Sequence, residues 1–153
     1  YASAFDVRHM DFPEGGMQLI LNRDLTEIPR IVSATRAYFS EAHIPDSLAP
    51  AVDLATEELF VNIVRHGSGR DDKIRLQMEA TGDGVAVTLI DPGSEPFDPR
   101  ELPPVDIDAP LAQREPGGLG IHLVKQLVSD LDYEYRDDSG KISFRVYNGG
   151  RDV

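Results

Sequence analysis

The chain has no cysteine and no tryptophan, and its 153 residues carry 15 Lys and Arg against 27 Asp and Glu. Without cysteine there is no disulfide, no thiolate nucleophile and no Cys-based zinc site, which suits a reducing compartment. The formal charge of −12 opposes direct binding to nucleic acid, because Lys and Arg neutralising phosphates supply most of that affinity. Long hydrophobic runs are missing too. No stretch reaches the roughly 20 apolar residues that cross a bilayer, so no membrane partner is expected. The opening YASAFDVRHMDFPEGG lacks the basic start, apolar stretch and small-residue cleavage site of a secretory signal, and the expected location is the cytoplasm. What is present is an ordinary globular mixture, 41% hydrophobic and 27% charged, in a length that suits one compact domain.

Along the chain, residues 1–15 form an ill-defined extension, after which Met17 to Asn22 read as a strand behind Gly15-Gly16. A helix is expected from Glu27 to Ala42, with Thr26 or Asp24 as its cap and Pro29 tolerated in the first turn. A second follows from Asp46 or Ser47 to His66-Gly67. Lys73 to Ala80 and Gly84 to Asp91 alternate apolar and polar residues around Thr81-Gly82-Asp83, the pattern of a hairpin with one buried face. Pro92 to Pro116 is rich in Pro, Asp and Glu and lacks periodicity, as a functional lid or a disordered segment would. Gly117 to Asp130 resumes a helical period. Tyr133 to Arg136 and Lys141 to Tyr147 close the chain as a hairpin around Asp137 to Gly140. Strands grouped in hairpins with three helices predict an α+β fold: a two-layer sandwich whose mixed, mostly antiparallel sheet carries all helices on one face.

Chemistry concentrates in three places. On the second helix, Leu48, Val52, Ala55, Leu59 and Ile63 make the core stripe, while Glu58, Asn62 and His66 recur every fourth residue at its edge. Such a stripe is either a pair of residues bordering solvent or a polar ledge able to hold a metal ion and a hydroxyl. Asp91-Pro92-Gly93 is either plain turn chemistry or a carboxylate acceptor at the sheet rim, beside a glycine that a flat ligand can approach. Gly117-Gly118-Leu119-Gly120 opens the third helix, where exposed N–H groups and the helix dipole suit phosphate and glycines equally suit a hinge.

In this order and spacing the segments resemble the GHKL ATPase superfamily with its Bergerat ATP-binding fold, and within it the bacterial anti-sigma factor serine/threonine kinases. The resemblance spans Met17 to Tyr147. It implies that Asn62 ligates Mg²⁺, that Glu58 is the catalytic base, and that Asp91 accepts from the adenine amino group with Gly93 allowing close approach. It further implies that Gly117, Gly118, Leu119 and Gly120 bind the ATP phosphates and that 94–116 is the ATP lid. Kinases of this group commonly carry an Arg two residues before the last Gly-x-Gly; here Pro116 stands there, with Arg114 as a substitute if the lid folds over. The implied partners are a sigma factor, an anti-sigma factor antagonist, or both, with a homodimer as a further expectation. The alternatives are the ATP-binding half of a sensor histidine kinase and an interaction module without kinase activity.

Overall fold

The computed structural model describes residues 16–66, 73–93, 95–96, 98–101 and 118–149. In chain order these form β1 (Met17–Leu21), α1 (Ile28–Glu41), α2 (Ala49–His66), β2 (Ile74–Thr81), β3 (Gly84–Pro92), α3 (Gly118–Leu127), β4 (Ser129–Arg136) and β5 (Ser139–Tyr147). The strands make a five-stranded sheet in the order β1-β2-β3-β5-β4. Its two-layer α+β character matches the expectation; the mixed pairing does not, because every described pairing is antiparallel. The reason lies in the connections. Two helices return the chain from β1 to β2 in the opposite sense, and the single-helix crossover from β3 through α3 would yield a parallel pair only if β4 lay beside β3. Instead β5 occupies that place.

Strand alternation assigns the sheet two unlike faces. Met17, Leu19 and Leu21 of β1, Ile74, Leu76 and Met78 of β2, Val85, Val87 and Leu89 of β3, and Ile142, Phe144 and Val146 of β5 are buried on one face. They join Ile31 and Phe39 of α1, Leu59, Phe60 and Ile63 of α2, and Ile121 and Val124 of α3 in a single core cluster. Tyr38 adds a directional link, since its hydroxyl accepts from the Ala80 N–H at 2.9 Å and so hooks α1 to β2. Asp24 caps the short turn ahead of α1 by accepting from the Thr26 N–H at 2.9 Å.

Element boundaries differ from expectation where aspartates take left-handed backbone. The expected third helix reaches residue 130, yet α3 stops at Leu127 and β4 begins at Ser129. Val128 still donates to Val124 at 3.0 Å; then Asp130 turns to φ 54° and the β4–β5 register slips between Ser129 and Asp132, a bulge that ends the helix and starts the strand together. At the other end of β4 the turn has two residues rather than four. Asp137 and Asp138 both have positive φ, 53° and 58°, as a tight hairpin turn requires, which leaves Gly140 buried within β5. The lid expected over 94–116 lies almost wholly outside the described residues. Its described root, the turn Pro99–Glu101, is held by the Arg100 guanidinium on Asp98 at 2.7 Å and by Lys125 of α3, which donates to the Arg100 carbonyl at 2.8 Å.

Thr56 of α2 is 1% exposed, and its Oγ1 has no hydrogen-bond partner among the described residues. Thr56→Val keeps the shape and removes the unpaired hydroxyl, so it is expected to stabilise the fold by about 1 kcal/mol. Thermal unfolding should show a rise of roughly 2–4 °C.

Candidate functional site

The polar stripe of α2 grades from surface to interior. His66 is exposed in the last turn, Glu58 is half-buried and Asn62 is fully buried. Helical spacing puts Asn62 one turn beyond Glu58 on the same side. A carboxamide presents two N–H donors and a carbonyl acceptor, yet neither the Asn62 oxygen nor its nitrogen has a partner among the described residues. Leaving such a group dry and unpaired costs on the order of 1–3 kcal/mol. A core packed for stability alone would place an apolar residue there.

Glu58 sits where α2 meets α3. A Cβ added to Gly120 would overlap the Glu58 carboxylate, so the missing side chain is what lets the third helix close on the acid. Gly118, Leu119 and Gly120 are the first residues of α3, whose leading N–H groups have no partner within the helix. Burial pushes the Glu58 carboxyl above its ordinary pKa, with repulsion from Glu57 adding to the rise and Arg65 opposing it. Desolvation therefore makes Glu58 a better proton acceptor than a surface carboxylate.

At the end of β3, Asp91 falls on the helix-side face in alternation with Val87 and Leu89 and is 8% exposed. Its carboxylate is ion-paired with Arg23. Gly93, two residues on, has φ 71°, a conformation that favours glycine for backbone reasons alone. Its N–H donates to the Asp138 carbonyl at 2.7 Å, tying the end of β3 to the β4–β5 turn.

The structure thus brings Glu58 against Gly120, keeps Asn62 buried on the Glu58 side of α2, and groups Asp91 with Gly93 at the end of β3. Gly117, Arg114 and Pro116 lie outside the described residues. Arg23 is the residue that motif reading missed. It falls in no periodic pattern, and nothing local ties it to a carboxylate 68 positions away.

A family model of the histidine kinase-like ATPase domain matches residues 21–146. The chain belongs to this family. No curated protein matches it. Histidine kinase-like ATPase domains bind ATP, typically with Mg²⁺, and the residues present fit that pair. Among the described residues no group of three or more His, Asp or Glu could hold a metal alone. Magnesium bound together with phosphate needs few protein ligands and keeps several waters, so one buried amide oxygen meets the requirement. Asn62 is a buried amide that could serve as such a ligand. No helix among the described residues is long and apolar enough to cross a membrane.

Two outcomes follow from the Glu58 environment. Because its folded-state pKa is raised, the stability tied to its neutral form is complete below the ordinary carboxylate range and is lost as pH rises through the raised value. Glu58→Gln should consequently be more stable than the parent at pH 7 and no more stable near pH 3.5, as urea unfolding at the two pH values would reveal. In Gly120→Ala the atoms nearest the new methyl belong to the flexible Glu58 side chain. The fold should survive, with a melting point within about 3 °C of the parent, while the Glu58 carboxyl shift in an NMR pH titration moves.

Proposed function

We propose that this ATPase domain is an anti-sigma regulatory factor: a serine/threonine kinase that phosphorylates an anti-sigma factor antagonist and sequesters a sigma factor. The observation that carries the reading is the Glu58 carboxyl, made more basic by burial and pressed against Gly120, one turn from the buried Asn62 amide, which has no partner among the described residues. A base next to the opening of a helix suits phosphoryl transfer, in which the protein mainly positions groups and offsets charge. Bound magnesium would neutralise charge along the phosphates. The chain's own residues have separate tasks. The Asn62 oxygen would hold the ion, and the leading N–H groups of α3, those of Gly118 and Gly120, donate to the phosphate oxygens. Glu58 takes the proton from the attacking Ser or Thr hydroxyl as its oxygen bonds to the γ-phosphorus and ADP leaves. Asp91 accepts from the 6-amino group of adenine. The acidic chain, at −12, suits a protein partner with a basic face.

Incubating the protein with Mg-ATP and a candidate antagonist is expected to give phosphoserine or phosphothreonine. Glu58→Ala should lower the rate by about 100-fold or more, and Asn62→Ala should remove the heat of Mg-ADP binding in calorimetry. Tight ATP binding with no transfer to any antagonist would reduce the protein to a nucleotide-dependent binding module. No heat with either nucleotide would leave an interaction domain that has lost its ligand.

A further inference from the structure

Past the end of β1 the chain turns a tightly braced corner. The Asn22 N–H donates to Glu27 Oε2 at 2.8 Å, and Lys73 Nζ donates to the Asn22 side-chain oxygen. Glu27 N–H donates to the Asp24 carbonyl at 3.0 Å, while the Asp24 carboxylate accepts from Thr26 at 2.9 Å. Arg23 lies between Asn22 and Asp24, so its backbone is held on both sides. From there its side chain reaches the end of β3, where Nη2 pairs with Asp91 Oδ1 and also donates to the Pro92 carbonyl at 3.1 Å. The two side chains are only 12% and 11% exposed.

We infer that Arg23 is a positioning residue for base recognition, setting the plane of the Asp91 carboxylate so that it accepts from a 6-amino purine and rejects a 6-oxo one. The inference rests on the reading of Asp91 as the adenine acceptor and adds a residue that lies in none of the nucleotide motifs. An aspartate carboxyl turns about a soft, broad torsion, so its direction must be set from outside. One guanidinium nitrogen carries two hydrogens. Spending one on the carboxylate and the other on the next peptide carbonyl of the same strand ties the carboxylate plane to the β3 backbone. The carboxylate then enters binding already oriented, which lowers the ordering cost of the complex. The distinction between amino and oxo is directional: a carboxylate aimed at position 6 meets a donor in adenine and another acceptor in hypoxanthine, a mismatch felt only if it cannot swing away. Lysine would supply the charge without the planar fork.

Calorimetric titration of the whole chain with Mg-ADP and Mg-IDP, whose bases differ at that edge, tests this. The parent should prefer ADP. Arg23→Ala is expected to cut the preference about tenfold, through weaker ADP binding together with stronger IDP binding as the freed carboxylate swings away, with Arg23→Lys recovering part of the preference. If Arg23→Ala fails to fold by circular dichroism, Arg23→Gln, which keeps an N–H donor, carries the same test with a smaller expected drop. A folded variant with the parent's preference, or one that loses both nucleotides equally, overturns the positioning role. A parent that binds neither nucleotide, or both alike, overturns the reading of Asp91 itself, a result distinct from any failure confined to the variants.

Discussion

The approach of Gly120 to the Glu58 carboxylate is the contact on which the site depends. It can exist only because one of the two residues has no side chain: any Cβ would occupy the space of the carboxyl oxygens. That closeness partly removes Glu58 from water and raises its proton affinity. It also sets the start of α3 beside α2, so the unpaired amides of a helix terminus and a basic carboxylate share one junction. Hydrophobic packing by Leu59, Ile63, Ile121 and Val124 supplies the rigidity behind it, since close-packed interiors hold neighbouring helices to a fraction of an ångström.

Next to that junction the fold carries a defect in stability terms. Asn62 is buried with no hydrogen-bond partner among the described residues, although apolar residues surround it in the helix pattern. Thr56, also buried and unpaired, lies on the same helix but not on the Glu58–Asn62 stripe. The two are alike in burial and differ in setting. The amide is one turn from the Glu58 carboxyl, which meets the opening of α3 at Gly120, while the perturbed carboxyl one turn from the hydroxyl, Asp53, is paired with Arg36. Nearness to a helix opening, rather than burial by itself, is what suits such a residue to a ligand.

Much of this was legible in the residues because it is local. The spacing of Val52, Ala55, Leu59 and Ile63 declared α2, and alternation along Ile74 to Asp91 declared the β2–β3 hairpin, since each pattern is complete within one element. The polar stripe and the glycines of α3 were visible for the same reason, although that Glu58 and Gly120 touch was not. Misreadings cluster where backbone conformation at a single residue decides the outcome. Asp130, Asp137 and Asp138 adopt positive φ, which aspartate tolerates without advertising, so the end of α3, the start of β4 and the length of the last turn could not be placed. Strand order was beyond reach because it depends on which edge a returning strand joins. Arg23 stayed hidden for a plainer reason: its partner is 68 residues away, and one arginine among fifteen cations carries no mark of where its side chain goes.

The placement of β5 between β3 and β4 has a bearing on how the molecule comes into being. During synthesis β1, β2 and β3 can pair as soon as they emerge, but β4, though made earlier than β5, has no neighbour to join until the later strand arrives. A nascent chain therefore holds a three-stranded sheet with β3 as an open edge, and an orphaned strand behind α3, until Tyr147 clears the ribosome. Closure by β5 is thus the last step in assembling this sheet, and the interval before it is when β3, the strand that ends in Asp91, is most open to mispairing with another chain.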